Sequence, residues 1–327
     1  MSDAQSPENT LSATETASTT HLPVLLAETI QALSIRPDGT YLDATFGRGG
    51  HCRAMLAELS AAGRVIAIDR DPQAIAVAEA LQAHESRLTV VRARFGALGD
   101  VIDRCGVTGA VDGALMDVGV SSPQLDDARR GFSFRHDGPL DMRMDPQHGV
   151  SAAGWLNSAA EEDIADVIWR YGEERRSRRI AKAIITARPL HRTQELAELV
   201  ASCVPHVKRS RQQASKHPAT KTFQAIRIFI NDELQELKQG LQVAFENLTK
   251  GGRLAVISFH SLEDREVKRA FKALSQPPVM PRRLPVRAAN VAVPGRLVGG
   301  AIRAGNHELQ TNPRARSATL RVIERVA

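Results

Sequence analysis

The chain contains few cysteines, and none of them is paired in sequence. Its 327 residues include Cys52, Cys105 and Cys203, which are widely spaced and form no CxxC motif. An odd number of scattered cysteines argues against a disulfide framework and gives no zinc-binding pattern. The cysteine usage therefore indicates a reducing compartment, and we expect the protein to be cytoplasmic.

Long apolar runs are also missing. The first twenty residues lack the basic start and apolar core of a secretory signal, and no apolar run approaches the roughly 20 residues that span a bilayer. The sequence thus predicts neither export nor insertion into a membrane. Because residues 1–20 carry almost no large apolar side chains, we expect them to form a disordered tail.

The formal net charge of +6 is distributed unevenly along the chain. Residues 170–221 hold thirteen Lys and Arg against four Asp and Glu, and residues 275–327 hold nine against two. These local charges of +9 and +7 leave −10 for the rest of the chain. Two basic blocks on an acidic body are typical of a protein that binds a polyanion, although a solvated basic helix face gives the same pattern.

Short apolar runs alternate with helical patterns from residue 39 onward. Four successive strand–helix units predict a parallel, doubly wound sheet with its ligand crevice at the carboxyl ends of the strands. A long helix over about 222–248 precedes the strand RLAVISF, and Ser261 with Asp264 resembles a capping box for the next helix. The tail SATLRVIERV predicts a last, antiparallel strand. The fold class is therefore α/β and Rossmann-like.

An insertion interrupts this alternation after the fourth strand. Residues 121–221 begin as a loop rich in Gly, Asp and Arg and continue with amphipathic runs that predict helices. We expect an inserted, mainly helical substrate-recognition domain there, between the two parts of a core at 21–120 and 222–327. Residues 277–305, with five prolines and four glycines, predict an irregular arm of that core.

The segment DATFGRGGHC places an acidic residue at the end of the first strand and a glycine-rich turn before a helix. Such a turn aims unpaired backbone N–H groups at a ligand. The third glycine of the dinucleotide motif GxGxxG is replaced by Cys52. A methyltransferase turn fits better, in which Asp43 holds the methionine ammonium of S-adenosylmethionine while Gly49, Gly50 and the His51 backbone contact its carboxylate and ribose.

Three further candidates follow the next strands. Asp69 ends the second strand about 20 residues after the turn, where a carboxylate can accept hydrogen bonds from both hydroxyls of an adenosine ribose. Phe95 follows the third strand and either covers an adenine face or belongs to the core. Asp117 ends the fourth strand and faces the transferred methyl group in a methyltransferase topology. The next residues, VGVSSPQL, replace the Asp/Asn-Pro-Pro-aromatic tetrad of many amino methyltransferases, so other residues must hold the base.

The chain closely resembles the bacterial ribosomal RNA small subunit methyltransferase H family, also called MraW, in DVGVSSPQLDDARRGFSFRHDGPLDMRMD, RYGEERRSRRIAKAI, HPATKTFQAIRIFINDEL and GGRLAVISFHSLEDREVK. The resemblance covers roughly residues 20–327. It implies a methyltransferase core with an inserted helical domain and S-adenosylmethionine as the methyl donor. The implied reaction is methylation of N4 of a cytidine in 16S rRNA, at conventional position 1402 in the decoding region of the small ribosomal subunit.

The resemblance also implies which residues contact the cofactor. Carried over position by position, they are Gly49, Gly50, His51, Asp69, Phe95, Asp117 and Gln124. Cys52 stands where the family usually has Ser or Thr, a small change at a helix start that should not prevent cofactor binding.

A sulfonium methyl is already activated, so the reaction needs neither a metal nor a covalent nucleophile. It needs alignment of the amine and an acceptor for its proton. The candidate acceptors are Asp117, Ser121 and Asp141, which the sequence does not rank. Asp141 can equally form a salt-bridged loop with Arg143, and His260 can either contact substrate or cap a helix.

The candidate RNA-binding residues are four arginines of the first basic block: Arg175, Arg176, Arg178 and Arg179. The competing interpretation pairs them with carboxylates of the same region, such as Glu161, Glu162, Glu173 and Glu174. A target cytosine must also leave its stack to reach a buried cofactor. Two other functions stay open, a non-catalytic RNA-binding or assembly factor with this fold and a Rossmann dehydrogenase.

Overall fold

The computed structural model describes residues 23–204, 217–277 and 292–327. The tail expected at 1–20, the basic residues between 205 and 216, and residues 278–291 of the expected arm lie outside these ranges. None of the helices in the described ranges combines the length and apolar character needed to cross a bilayer.

Seven strands form one sheet in the order β3-β2-β1-β4-β5-β7-β6. Strands β1 to β5 pair in parallel, and β7 runs antiparallel to β5 and β6. The strand order reverses between β1 and β4, and such a switch point opens a crevice at the carboxyl ends of the strands. This is the sheet of a Rossmann-like class I methyltransferase, so the expected fold class is confirmed. The strands are Thr40–Asp43 (β1), Arg64–Asp69 (β2), Leu88–Arg92 (β3), Val111–Asp117 (β4), Leu248–Ser258 (β5), Gly295–Leu297 (β6) and Thr319–Arg325 (β7).

Helices cover both faces of the sheet and form the insertion between β4 and β5. Their bounds are Leu26–Leu33 (α1), Gly50–Glu58 (α2), Pro72–Gln82 (α3), Leu98–Arg104 (α4), Ser122–Asp126 (α5), Ala152–Ser158 (α6), Glu161–Gly172 (α7), Ser177–Ala187 (α8), Thr193–Cys203 (α9), Thr220–Ile230 (α10), Glu233–Glu246 (α11), Ser261–Ser275 (α12) and Asn306–Thr311 (α13).

Side chains of the central strands alternate between the two faces of the sheet. Leu42 and Met116 pack on one face against α4, α11 and α12. Tyr41 and Leu115 pack on the other face against α1 and α2. Both faces of the parallel strands are therefore buried, which explains why these strands are apolar almost throughout.

The inserted helices have an apolar cluster of their own. It joins side chains of α6 to α9 to Phe223 and Ile226 of α10. Gly172 at the end of α7 permits this packing, because a Cβ there would lie 2.7 Å from the backbone oxygen of Lys221. Most of α10 thus packs with the insertion, although the sequence analysis placed residues from 222 onward in the core. The division of the chain into a core and a substrate-recognition domain stays a proposal.

The single helix expected over about 222–248 is two helices, and that prediction was wrong. The break falls at Asn231 and Asp232, where Asp232 adopts a left-handed φ of 51°. The Asn231 side chain accepts a hydrogen bond from Met144 N at 2.7 Å and donates one to Met142 O at 2.7 Å. These tertiary contacts hold the break, and nothing in the helical periodicity indicates them.

Two other local predictions differ from the structure. The cap of α12 is His260 with Glu263, one residue earlier than the predicted pair of Ser261 and Asp264, because His260 has the extended backbone of a cap residue. Within the expected irregular arm, the described residues include the short edge strand β6, which pairs with β7.

Candidate active site

A cavity of about 600 Å³ opens at the carboxyl ends of β2, β1, β4 and β5. Its wall includes Asp69 after β2, Phe46 after β1, Asp117 at the end of β4 and His260 after β5. Neighbouring strands lie about 4.8 Å apart, so these four strand ends extend over roughly 14 Å. The cavity therefore has two ends, one at β1 and β2 and the other at β4 and β5.

The glycine-rich turn forms the wall after β1. Gly47 and Gly49 both have left-handed φ angles, of 55° and 75°. A Cβ on Gly49 would lie 2.5 Å from the Phe46 ring, so this position requires glycine. Gly50 and His51 line the cavity, whereas Gly49 shapes the turn from outside the lining.

Asp69 joins this turn to the end of β2. Its Oδ2 accepts a hydrogen bond from Gly47 N at 2.9 Å, and its Oδ1 accepts one from Asp71 N at 2.9 Å. Burial raises the pKa of Asp69, and these two hydrogen bonds oppose the shift. Phe95 lines the cavity and also packs against the core, and its expected contact with the adenine stays a prediction.

Two carboxylates near the β1–β4 junction, the buried Asp43 and the half-buried Asp117, have unpaired oxygen atoms. Asp43 Oδ1 accepts a hydrogen bond from Thr45 N at 3.1 Å, while Asp43 Oδ2 and Asp117 Oδ1 have no partner within the described ranges. Burial raises the pKa of Asp43 to about 7 and that of Asp117 to about 8, with repulsion between the two carboxylates adding to the shift of Asp117. Unpaired carboxylates that resist ionisation fit a cationic ligand, such as one that carries an ammonium and a sulfonium group.

His51 lies beside Asp117. Its Nε2 lies 3.0 Å from the backbone oxygen of Val24, so Nε2 is assigned the proton and donates. Its Nδ1 therefore carries a lone pair, and this atom lies 3.8 Å from Asp117 Oδ2. Burial lowers the pKa of His51 to about 4, which keeps the ring neutral at pH 7.

The loop after β4 carries Ser121 and Gln124, and both residues line the cavity. Gln124 Oε1 accepts a hydrogen bond from Ser121 N at 2.9 Å, and Gln124 Nε2 donates to Asp71 Oδ2 at 2.7 Å. Asp71 also caps α3, as expected, by accepting from Gln73 N at 2.9 Å. The Gln124 amide thus holds the loop in place against the turn after β2.

A buried arginine extends this network into the insertion. Arg130 Nη1 donates to Asp71 Oδ2 at 2.7 Å, and Arg130 Nη2 donates to Met144 O at 2.8 Å. Asn231 adds a second link, because its backbone oxygen accepts from Arg70 Nη1 at 3.0 Å. The sequence analysis identified neither Arg130 nor Asn231, since nothing in a single sequence separates the buried Arg130 from its exposed neighbour Arg129.

A second buried ion-pair network lies at the β4–β5 end. Arg227 Nε and Nη2 each donate to Glu233 at 2.8 Å, and Nη2 lies 3.8 Å from Glu263 Oε1. His260 Nε2 lies 2.9 Å from the same Glu263 oxygen, and His260 both lines the cavity and caps α12. Glu233, His260 and Glu263 approach one another as metal ligands would. The Arg227 guanidinium compensates their charge, so we interpret the cluster as an ion-pair network.

Asp141 and the basic block lie apart from the cavity lining. Asp141 binds Arg143 through both carboxylate oxygens, at 2.8 and 2.7 Å, which is the salt-bridged loop that the sequence allowed. In the basic block, Arg175, Arg178 and Arg179 are exposed and Arg176 is half-buried. Within the described part of the chain, no carboxylate lies within ion-pair distance of these four side chains.

A model of the MraW methylase family matches residues 18–326. The chain belongs to the MraW methylase family. Relatives named ribosomal RNA small subunit methyltransferase H include that of Xanthomonas campestris pv. campestris (strain B100), 54% identical over 94% of this chain and 87% of the relative. The relative from Chromobacterium violaceum is 56% identical over 94% of this chain and 95% of its own length.

Solved structures resemble the chain more distantly. An rRNA methylase from Streptococcus thermophilus has a TM-score of 0.39 and 11% identity, with 93% of both chains covered. NSun6 from Pyrococcus horikoshii has a TM-score of 0.42 and 14% identity, with 93% of this chain and 53% of that chain covered.

Membership in the MraW methylase family decides two of the expectations. The protein is a methyltransferase that uses S-adenosylmethionine, so the expected cofactor is confirmed and the dehydrogenase alternative is excluded. Asp117 lines the cavity, whereas Asp43 is fully buried behind the lining.

Proposed function

We propose that this chain methylates N4 of a cytidine in 16S rRNA of the small ribosomal subunit, at conventional position 1402. The observation that carries the proposal is the cavity itself, which has the Asp69 carboxylate at the end of β2 and the Asp117 carboxylate at the end of β4. The name of the relatives supports ribosomal RNA as the substrate. Small subunits are assembled in the cytoplasm, where we place the activity.

The β1–β2 end of the cavity would hold the cofactor. Asp69 is oriented by two backbone N–H groups and is available to the ribose hydroxyls. Phe95 would cover the adenine, and Gly50 and His51 would contact the methionine end. Asp43 lies behind the lining and would stabilise the ammonium group by its charge. When bound, S-adenosylmethionine supplies an activated methyl group, and the protein contributes alignment and exclusion of water.

Asp117 is the proton acceptor that the geometry favours. The N4 lone pair of cytosine is delocalised into the ring, so an acceptor for an N4 hydrogen promotes attack on the methyl group. Asp117 Oδ1 is unpaired and its carboxylate lines the cavity. Ser121 lines the cavity too, but a hydroxyl is a much weaker base than a carboxylate. Asp141 is bound to Arg143 outside the lining.

The RNA would reach the cavity along the insertion. The exposed side chains of Arg175, Arg178 and Arg179, with Arg176, have no carboxylate partner in the described residues and are available to phosphate groups. The target cytidine would be flipped out of its stack to enter the cavity.

The direct test is a methylation assay with a defined product. The protein is incubated with radiolabelled S-adenosylmethionine and small subunits that lack the modification, and the rRNA is digested to nucleosides. We expect the label in N4-methylcytidine. Label in another nucleoside would contradict the N4 assignment. Tight binding of subunits without any label would instead support a non-catalytic assembly factor.

A further inference from the structure

The cavity contains an arginine that methyl transfer as proposed above does not use. Arg227 lies on α10 and lines the cavity beside Gln224. Its guanidinium is held by two hydrogen bonds to Glu233, both 2.8 Å long, and its side chain is only 14% exposed. Burying an arginine costs free energy, because its guanidinium loses its hydration and needs nearby opposite charges to compensate. Glu233 and Glu263 supply that compensation.

One nitrogen of this guanidinium stays available. Nε and Nη2 bind Glu233, whereas Nη1 makes no hydrogen bond to any residue in the described ranges and is not buried. A guanidinium has donors only and cannot accept a hydrogen bond. Since Arg227 contributes to the cavity wall, the two N–H groups of Nη1 can reach a ligand there.

The Arg227 network lies against the turn that follows Asp117. A Cβ on Gly119 would lie 3.6 Å from Glu263 Oε1, the oxygen that lies 3.8 Å from Arg227 Nη2. The charge of Glu263 is also one cause of the raised pKa of Asp117. Arg227 therefore belongs to the network at the β4–β5 end of the cavity, near the turn that follows Asp117.

The charge around Arg227 selects the kind of ligand. One guanidinium is surrounded by two carboxylates, Glu233 and Glu263, so the fixed charge of the three groups is negative. A phosphate would be repelled here, whereas a neutral base with hydrogen-bond acceptors would not. Cytosine presents two adjacent acceptors, O2 and N3. Uracil carries a hydrogen on N3, which would face a group that has only donors.

We propose that Arg227 recognises the target cytosine by donating a hydrogen bond from Nη1 to N3. The contact leaves N4 free and directs it toward Asp117, on the neighbouring strand end. This inference rests on the proposed function and names the residue that selects the base. It separates base recognition by Arg227 from phosphate binding by the exposed arginines of the insertion.

The first experiment uses Arg227→Lys, which keeps the positive charge between the carboxylates but has a single nitrogen, so it cannot both bind Glu233 through two nitrogens and reach the base with a third. We expect kcat/KM for unmethylated small subunits to fall by about 10- to 100-fold, as expected when a charge-assisted hydrogen bond is removed. S-adenosylmethionine affinity, measured by calorimetry, should stay within about twofold, because Arg227 makes no contact with Asp69 and the variant keeps the charge. The matched control is Arg104→Lys, an exposed arginine on α4 outside the cavity lining, which should behave as wild type.

Three results would overturn the proposal. An unchanged kcat/KM would show that Arg227 only supports the fold. A parallel loss of S-adenosylmethionine affinity would assign Arg227 to the cofactor. A salt slope of subunit binding that falls by about 0.7 to 0.9 would indicate a phosphate contact instead of a base contact. If Arg227→Lys melts well below wild type, the double variant Arg227→Gln/Glu233→Gln removes the buried pair together and repeats the test.

A second experiment tests base recognition by binding alone, so it does not depend on methyl transfer. Small subunits with the target cytidine changed to uridine compete with unchanged subunits for binding to the protein. Wild type should prefer the cytidine subunits, and Arg227→Lys should lose about tenfold of that preference. The preference is measured even if wild type transfers no methyl group, so failure of the proposed function would be seen separately. An equal preference in wild type and variant would contradict recognition by Arg227.

Discussion

The two ends of the cavity are built in different ways. At the β1–β2 end, Asp43, Asp69 and Asp71 lie within thirty residues of one another, and backbone N–H groups orient them. At the β4–β5 end, Arg227, Glu233 and Glu263 come from three helices and are held by ion pairs between side chains. The end proposed for the cofactor is shaped by local backbone geometry, whereas the end proposed for the substrate depends on how the insertion packs against the core.

The largest effect should come from Asp117, which lies between the two ends. Asp117→Asn keeps the shape of the side chain but removes the proton acceptor, so kcat for methylation should fall by about 10²- to 10⁴-fold. Folding stability should change little, because an uncharged amide replaces a carboxylate that burial already disfavours. Single-turnover methylation and thermal melting on one preparation measure both effects. Turnover near wild type would show that Asp117 is structural.

A second variant breaks the link between the ends. Arg130→Gln removes the buried partner of Asp71, and the free energy of unfolding should fall by about 3 kcal/mol, since Asp71 stays buried without its counter-charge. Arg129→Gln is the matched control, because the neighbouring Arg129 side chain is 84% exposed and pairs with Asp127 at the surface. Urea unfolding compares the two. Equal losses would mean that the Arg130–Asp71 pair does not connect the insertion to the core.

The third prediction concerns protons that Asp43 and Asp117 release when the cofactor binds. The raised pKa values, about 7 for Asp43 and about 8 for Asp117, mean that both carboxyls are largely protonated at pH 6.5 in the unliganded protein. A cationic cofactor favours the ionised forms, so binding should release protons, and affinity should rise as the pH increases toward 8. At pH 6.5 the ligand's amino group is itself protonated and does not mask the effect.

Calorimetry of S-adenosylmethionine binding at pH 6.5 in two buffers of different ionisation enthalpy measures this release. Asp117→Asn should release fewer protons than wild type. Without cofactor, the same shifts make the folded protein less stable as the pH rises from about 4 to about 8, because the folded state retains protons that the unfolded chain loses. Identical binding heats in both buffers would contradict the proton release.

The smallest effect on the cavity should come from the basic block. We replace four arginines by Gln: Arg175, Arg176, Arg178 and Arg179. The slope of the logarithm of the subunit-binding constant against the logarithm of salt concentration should become shallower by about 0.7 for each phosphate group that the protein no longer neutralises. Melting temperature and S-adenosylmethionine affinity should hold, because these side chains have no carboxylate partner in the described residues. A loss of thermal stability with an unchanged salt slope would instead indicate an internal ion-pair role.

The sequence predicted the β1–β2 end of the cavity better than the β4–β5 end, because the first is built from local segments and the second from distant ones. The strand ends, the glycine turn, Asp69 and Asp117 were predictable, because apolar runs and a short motif encode them locally. The helix break at Asn231 was missed, since its cause is a pair of hydrogen bonds to Met142 and Met144, almost ninety residues away in sequence.

The same reason explains the other omissions. Arg130 and Arg227 read as ordinary charged residues in the sequence, and only packing shows that they are buried and paired. The predicted cap of α12 was one residue late, because a histidine takes the position that Ser usually fills. The motif residues of the cofactor end needed no such tertiary information.

The central claim is that one cavity binds the cofactor at the β1–β2 end and the target base at the β4–β5 end. Asp69→Ala and Arg227→Lys test it most directly when S-adenosylmethionine Kd and subunit KM are measured for both variants in parallel. We expect Asp69→Ala to weaken cofactor binding by about 1.5 to 3 kcal/mol with KM for subunits near wild type, and Arg227→Lys to impair subunit use with Kd near wild type. Loss of both parameters in either variant would contradict two separate ends.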